Sequence, residues 1–293
     1  MIITLYNSYI TAKINSLGAQ LISLQDNNHT EYIWQHDQEI WDKSSPILFP
    51  IIGNCRNNQT KINNRFYTIP KHGFCIHSDF SIESQSNTSV TFTLNNNEYT
   101  YSMYPYHFKL SITYTLEKQS ITFKISVKNC DNGNIYYCLG LHPGIRCPIF
   151  ENEAFSDYQI VFSHPEIHGY RHYNQNTLEF DMSKSYYLEN TKKISLSHSL
   201  FLQDAIWFDR LLSKNIRLIN PLTSKGIQVD FYNFHTLALW TKPMETASFL
   251  CIEPWNGSAI CSNEDDEFLH KNNIQTLEKG GTKEYKIQLS ILT

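Results

Sequence analysis

The chain has 293 residues, of which 41% are hydrophobic and 18% charged, and its net charge is −4. This composition is typical of a globular protein that can bury a sizeable core, and it excludes a disordered chain. Because the sequence has no basic stripe, no zinc-finger spacing and no apolar run of about 18 residues, we expect neither nucleic-acid binding nor a membrane span.

The predicted strands follow a period of two along the chain. Val90, Phe92 and Leu94 alternate with polar residues, and the same pattern recurs in residues 110–116 and 121–127 and again in 285–291. Such alternation is typical of half-buried β-strands. Residues 117–120 separate the two central runs with polar turn residues, so the pair predicts a β-hairpin.

Helical signals are sparse, and the best of them covers residues 196–212, which are apolar on too many sides for a clear amphipathic helix. No linker or repeat of fixed period interrupts the chain. We therefore predict an all-β fold, a single domain over residues 1–293, built as a sandwich of mostly antiparallel strands with few short helices. The concave face of a large curved sheet would offer one natural ligand site.

Two segments in the first third of the chain break the strand pattern with polar groups. In the first, an apolar run that begins at Leu48 is followed by Gly53 and then by Arg56. The planar guanidinium group of an arginine offers several N–H donors that suit hydroxyl or phosphate oxygens. In the second, His72 stands beside a glycine, Gly73, which suggests a close approach of backbone and imidazole to another group. Taken alone, a surface arginine and a turn histidine with structural roles explain both segments equally well.

Two later segments carry candidate acid–base groups. His142 follows an apolar run and precedes Pro143, and Glu253 ends another apolar run and precedes Pro254. A residue before proline is held in extended geometry. An imidazole can donate a proton near neutral pH, and a partly desolvated carboxylate gains basicity. The alternatives at this point are a structural histidine and a glutamate paired with a nearby cation.

Other chemistries lack their signatures. The sequence contains no GxSxG, P-loop, HExxH or GxGxxG motif in a βαβ context. His72 and His142 with a carboxylate have no specific metal-ligand spacing. The seven cysteines show no CxxC pair, so we expect most of them to be buried thiols. The N-terminal residues lack the basic and apolar regions of a secretion signal, and we expect a cytoplasmic location.

Taken in order, these segments resemble the aldose 1-epimerase (galactose mutarotase-like) family, and within it the LacX-like branch. No single piece is specific, but the ordered series spans nearly the whole chain. It comprises Leu17-Gly18-Ala19-Gln20-Leu21, Leu48-Phe49-Pro50 with Gly53 and Arg56, His72-Gly73-Phe74, Tyr104-Pro105-Tyr106, Leu139-Gly140-Leu141-His142-Pro143, Gln203-Asp204-Ala205, Leu239-Trp240, Cys251-Ile252-Glu253-Pro254-Trp255-Asn256-Gly257 and Lys279-Gly280-Gly281.

The resemblance implies a β-supersandwich fold and interconversion of the α and β anomers of an aldose, without a cofactor or a metal. It implies that His142 is the general acid and Glu253 the general base. It also implies that Arg56, His72 and Asp204 contact sugar oxygens. Trp255, next to the base, is an expected stacking surface for the sugar ring.

One position departs from the branch, where an arginine often follows the His-Gly-Phe motif two residues after the phenylalanine. Here that position is Ile76, which weakens a sugar-phosphate substrate, although Lys71, His77 or Arg65 could compensate. We therefore expect a free aldose as substrate. A hexose-6-phosphate 1-epimerase and a non-catalytic carbohydrate-binding or sensing protein on the same fold are the alternatives.

The separation of the two acid–base groups is the observation that tests their assignment most directly. We expect His142 and Glu253 to line one cleft, several ångströms apart, with room for a pyranose between them. The sequence does not specify the oligomeric state.

Overall fold

A computed structural model describes all residues, 1–293, and 24 β-strands dominate it. The strands are β1 (Ile2–Tyr6), β2 (Ile10–Asn15), β3 (Gln20–Asp26), β4 (Ile47–Leu48), β5 (Gln59–Ile62), β6 (Arg65–Thr68), β7 (Ser81–Gln85), β8 (Ser89–Asn95), β9 (Phe108–Glu117), β10 (Ser120–Asn129), β11 (Ile135–Tyr137), β12 (Leu139–Leu141), β13 (Gly144–Arg146), β14 (Gln159–Phe162), β15 (Arg171–Asn174), β16 (Glu179–Phe180), β17 (Lys193–Ser195), β18 (Ile206–Phe208), β19 (Asn215–Ile219), β20 (Gly226–Tyr232), β21 (Thr236–Trp240), β22 (Phe249–Asn256), β23 (Gln275–Leu277) and β24 (Thr282–Leu292).

Helical structure is limited to one α-helix and five short 3-10 segments. The α-helix α1 (Glu98–Met103) begins at Asn97, whose side chain accepts a hydrogen bond from the backbone N–H of Thr100 while the Thr100 hydroxyl caps the backbone of Asn97. This reciprocal capping starts a helix after strand β8. The 3-10 segments are Arg56–Asn58, Cys75–His77, Phe155–Asp157, His198–Phe201 and Phe268–His270.

The helical signal over residues 196–212 does not produce an α-helix. This segment contains the 3-10 turn His198–Phe201 and then strand β18. Apolar residues on every side are what a doubly covered strand requires, because both faces of β18 are buried. The apolar pattern of this segment therefore belongs to a buried strand that is preceded by a 3-10 turn, and not to a helix.

The strands form two large sheets and three small ones. The nine-stranded sheet has the order β17-β14-β19-β20-β24-β10-β9-β8-β7, and the eight-stranded sheet has the order β16-β15-β18-β21-β22-β12-β4, with β13 also paired to β22. The small sheets are β1-β2-β3, β5-β6 and β11-β23. The pairings within both large sheets are antiparallel, which confirms the predicted all-β architecture.

The period-two runs lie where the sequence places them. β9 and β10 form the predicted hairpin, with Leu116 opposite Ile121 and Val127 opposite Leu110. Their inward residues join a core cluster that also takes in Leu237 from β21 and Ile252 from β22. The nine-stranded sheet thus packs against one face of the eight-stranded sheet, and the opposite face of the latter is left to form a cavity. No helix of the structure is long and apolar enough to cross a membrane.

Candidate active site

Strand β22 runs between the core and the cavity, and its residues alternate between them. Leu250 and Ile252 point into the main core, whereas Cys251 and Trp255 belong to clusters on the other face. Because successive side chains of a strand point to opposite faces, Glu253 shares the face of Cys251 and Trp255. Glu253 lines a cavity of about 310 Å³ on that face.

His142 lies opposite Glu253 on the neighbouring chain segment. On one side Gly140 of β12 pairs with Trp255, and on the other Gly144 of β13 pairs with Cys251. The register is the same on both sides, so the two residues between the strands, His142 and Pro143, bring His142 directly across from Glu253. Pro143 cannot donate a backbone hydrogen bond, which accounts for the interruption between β12 and β13.

The imidazole and the carboxyl group are in contact. Nε2 of His142 lies 3.2 Å from Oε2 of Glu253, and both side chains are buried. The two groups therefore share one cleft, as expected, but the expected gap of several ångströms is wrong. Adjacent antiparallel strands hold facing side chains within a few ångströms of each other, so the free space of the cavity lies beside the pair rather than between its members.

Burial decides the protonation of this pair. It lowers the pKa of His142 from 6.5 to about 3 and raises the pKa of Glu253 well above 4.5, with the charge of Asp204 adding to the second effect. Both shifts disfavour a charged form in a dry environment. Burial therefore favours a neutral imidazole beside a protonated carboxyl group in the empty site. Nδ1 of His142 and Oε2 of Glu253 are both buried without a hydrogen-bond partner in the protein.

His72 stands on the other side of His142 as a neutral hydrogen-bond donor. The two imidazole rings lie edge to face with centroids 5.5 Å apart. Nδ1 of His72 accepts a hydrogen bond from the backbone N–H of Gly53, 3.1 Å away, so the ring proton resides on Nε2. Burial, with His142 and Lys71 nearby, lowers the pKa of His72 well below 6.5. Its φ of 65° is unusual for histidine and indicates a locally imposed conformation.

Aromatic rings form much of the cavity wall. Trp41 stacks on the imidazole of His142 at 5.0 Å, and Trp240 meets it edge-on at 5.6 Å. Trp255 faces them from the β12 side, where Gly140 makes room: a Cβ on Gly140 would lie 2.6 Å from Trp255 Cδ1. Phe180 and Tyr173 also line the cavity. Such rings offer flat apolar surfaces to the C–H face of a small ligand.

Three charged side chains complete the lining. Asp204, at a φ of 69°, accepts a hydrogen bond from the backbone N–H of Ala205 and faces the cavity. Lys71 precedes His72, and Lys242 follows strand β21; both line the cavity. The chemistry available here is thus proton exchange by the buried pair, donation by His72 and charge pairing at the two ammonium groups.

Arg56 is the one expected contact residue that the structure does not bring to this cavity. Its Nη1 binds Glu179 at 3.0 Å and its Nε binds Asp266 at 3.1 Å. Gly53 reverses the chain at a φ of 63°, after which Asn54, not Arg56, lines the cavity. The guanidinium thus joins two other segments through Glu179 and Asp266, and the expectation that Arg56 contacts a sugar stays a prediction.

Comparison with known proteins identifies the fold and its family. The sequence profile described as Aldose 1-epimerase matches residues 1–289. The chain belongs to the aldose 1-epimerase family. It is 34% identical over 299 residues to two forms of protein LacX, plasmid and chromosomal, from Lactococcus lactis subsp. lactis, and the alignments cover 100% of each chain.

Two solved structures of proteins similar to this aldose 1-epimerase family member superimpose closely on it. One is a galactose mutarotase related enzyme from Lactobacillus acidophilus, 26% identical, with a TM-score of 0.92 and coverage of 100% and 98% of the two chains. The other is a galactose mutarotase-like protein from Lactobacillus casei, 25% identical, with a TM-score of 0.92 over 100% of both chains. These matches confirm the β-supersandwich fold that the resemblance implied.

A metal ion has one possible site in this family member. His142, Cys251 and Glu253 each offer a ligand atom, and these atoms lie within 4.8 Å of one another.

The sequence reasoning missed Cys251, although its spacing of two residues from Glu253 places both side chains on one strand face. It also missed Lys242 and Trp41, which come from irregular segments with no periodic signal.

Proposed function

We propose that this chain is an aldose 1-epimerase that interconverts the α and β anomers of a pyranose by ring opening and closure. The observation that carries the proposal is the contact of 3.2 Å between His142 and Glu253 at a cavity of about 310 Å³. That volume is at the small end of ligand pockets, roughly 300–1,000 Å³, and suits a single sugar ring.

Ring opening requires that the C1 hydroxyl lose a proton and that the ring oxygen gain one. Besides the ring N–H of the neutral imidazole, the empty pair holds one transferable proton, on Glu253. At a separation of 3.2 Å this proton can pass to His142, which leaves a carboxylate base and an imidazolium acid. Glu253 then removes the hydroxyl proton while His142 protonates the ring oxygen, and the C1–O5 bond breaks to give the aldehyde.

Closure reverses these transfers on the other face of the carbonyl, after rotation about the C1–C2 bond. The two groups exchange roles, and the pair ends as it began, neutral and with one proton. Nε2–H of His72 donates to a sugar oxygen on which charge develops. Trp255 and Asp204 orient the ring through its apolar face and its hydroxyls.

The test is the rate at which freshly dissolved α-glucose and α-galactose approach anomeric equilibrium, followed by polarimetry. We expect the wild-type protein to accelerate it and Glu253→Gln and His142→Asn to abolish the acceleration with the fold retained. Wild-type rates equal to buffer for a broad panel of neutral and acidic sugars would refute the proposal. Sugar binding without acceleration would favour a binding or sensing role.

A further inference from the structure

Three side chains with metal-binding atoms converge at the floor of the cavity. Cys251 and Glu253 stand two residues apart on one face of β22, and His142 lies across from Glu253 on the neighbouring segment. One ligand atom from each of the three lies within 4.8 Å of the other two. Strand register sets this convergence, so no loop has to close to bring the three groups together.

The separations between these atoms fit a small tetrahedral cation. Nε2 of His142 and Oε2 of Glu253 are 3.2 Å apart. Two such atoms bound to one Zn²⁺ at about 2.0–2.2 Å are roughly 3.3–3.5 Å apart in a tetrahedron. The sulfur of Cys251 would lie roughly 3.6 Å from each of them, so its side-chain torsions have to close a gap of about 1 Å at most.

One of these atoms lacks a partner. Oε2 of Glu253 has no hydrogen-bond partner in the protein, although the residue is only 1% exposed. A polar atom at this depth is normally satisfied by the protein, an ordered water or an ion. His142 and Glu253 line the cavity, which gives an ion a route to them, and Cys251 is fully buried beside them.

The ligand atoms select the kind of metal. An imidazole and a thiolate favour Zn²⁺ and similar transition metals, whereas Mg²⁺ and Ca²⁺ prefer oxygen ligands. Once the thiol and the carboxyl group release their protons to solvent, their two negative charges balance the charge of the ion. Three protein ligands leave the fourth tetrahedral position to a water or a sugar hydroxyl in the cavity.

The site lacks one feature of a resident zinc centre. A histidine that binds zinc normally has its other ring nitrogen held by a carbonyl, a carboxylate or water, and Nδ1 of His142 has no partner in the protein. We propose that His142, Cys251 and Glu253 form a reversible site for Zn²⁺, and that the bound ion blocks proton transfer by the pair. The ion occupies the lone pairs that the acid and the base use, so it inhibits. The inhibition rests on the proposed function, whereas the binding of the ion does not.

Metal binding is measured first, in the absence of any sugar. The full chain, freed of metal by a chelator, is titrated with CoCl₂ while the near-ultraviolet charge-transfer absorption of a cobalt thiolate is followed, and ZnCl₂ is then added as competitor. We expect one Co²⁺ to bind per chain with this absorption, and Zn²⁺ to displace it.

Variants of the cysteines identify the site. Cys251→Ser should lose the thiolate absorption and weaken Zn²⁺ binding by more than about tenfold, since even the loss of an outer partner of a metal ligand costs about 10–100-fold. Cys251→Ala should do the same and leaves no buried hydroxyl, which covers an unstable serine variant. The matched control is Cys130→Ser, which removes an exposed thiol and should keep both the absorption and the affinity.

Inhibition is measured by polarimetry of α-glucose at increasing ZnCl₂, with each variant compared with its own metal-free rate. We expect the wild type and Cys130→Ser to lose activity over the concentrations at which Zn²⁺ binds, and the chelator to restore it. Both Cys251 variants should need more than about tenfold more Zn²⁺ for the same loss. MgCl₂ at the same concentrations should have no effect.

The outcomes separate the two proposals. A wild-type protein without the thiolate absorption, or an absorption that persists in both Cys251 variants, overturns the metal site. Binding of Zn²⁺ at this site with an unchanged rate overturns the inhibition. If the metal-free protein accelerates no sugar, the proposed function fails, and the cobalt titration still decides whether the metal site exists.

Discussion

His142 and Glu253 meet across neighbouring antiparallel segments, with Nε2 and Oε2 3.2 Å apart at the floor of the cavity. Ala238 of β21 pairs with Glu253 on its other side, and this small residue leaves the carboxyl group room. The pair is therefore fixed by sheet register rather than by flexible loops. Its protonation, which follows from burial, has consequences that can be measured.

The first prediction concerns stability. The folded-state pKa of Glu253 is raised well above its unfolded value of about 4.3, so above that pH the folded protein retains a proton that the unfolded chain has lost. Stability then falls with rising pH by up to about 1.4 kcal/mol per unit from this group until its folded pKa is reached. We expect Glu253→Gln to be more stable than wild type at pH 8, and the difference to shrink towards pH 5.

Thermal unfolding at a series of pH values measures this difference. His142 acts in the opposite direction between its folded pKa of about 3 and its unfolded value of about 6.5. Comparison of the variant with wild type cancels that contribution only in part, because the two groups interact. A stability difference that does not change between pH 5 and 8 would contradict the raised pKa of Glu253.

The second prediction concerns the pH dependence of the rate. The pair keeps one proton from above the pKa of His142, about 3, up to the raised pKa of Glu253. We expect kcat/KM for a neutral sugar, corrected for the buffer rate, to be flat from about pH 5 until Glu253 ionises at its raised pKa, and to decline above that pH. Activity that has already declined by pH 5, as expected of a carboxyl group with the ordinary pKa of about 4.3, would contradict this prediction.

The third prediction separates His72 from Arg56. His72→Asn keeps a residue that tolerates positive φ but loses the Nε2–H donor, so we expect kcat/KM to fall about 100-fold, the usual cost of one such donor. Arg56→Met removes a half-exposed ion pair with Glu179 and Asp266, and we expect less than about a threefold change in kcat/KM. Similar losses in both variants would return Arg56 to the sugar site.

The fourth prediction tests the wall formed by Trp255. In Gly140→Ala the new Cβ would lie 2.6 Å from Trp255 Cδ1, so the indole must move into the cavity. We expect a stability loss of about 1–3 kcal/mol and a raised KM. The matched control is Gly133→Ala, at an exposed glycine with no atom within 4 Å of the added carbon. Equal KM values for the two variants would mean that Trp255 does not shape the sugar site.

Much of the fold follows from the sequence because alternation has one structural meaning. Residues 110–116 and 121–127 had to form a hairpin, and they do. Residues 196–212 misled because a strand buried on both faces has no alternation to detect. The strand register that joins His142 to Glu253 could not be foreseen, since it depends on β12 and β13 pairing with one strand from distant sequence.

The site residues also divide into those that the sequence indicates and those that only the folded structure shows. Glu253 and Trp255 are recognisable because they share a strand face and a family motif. Asp204, which was assigned on a looser alignment, lines the cavity, but its separation from the pair could not be predicted. Lys242 lies after β21 in an irregular segment, and only the folded chain shows that it faces the cavity. Arg56 follows the turn at Gly53 and pairs with Glu179 and Asp266 rather than lining the cavity, an arrangement that the sequence pattern does not indicate.

Residues of β22 point alternately into the core and into the cavity. The central strands and the connecting segments therefore contribute different groups to the site. The acid–base pair is built into central strands, where a shift by one residue would bury Glu253 in the main core and unfold the protein. Lys71 and Asp204 come instead from connecting segments, which tolerate exchange and insertion. Under the proposed function, changes in these connecting segments would alter which sugar binds and leave the His142–Glu253 pair unchanged.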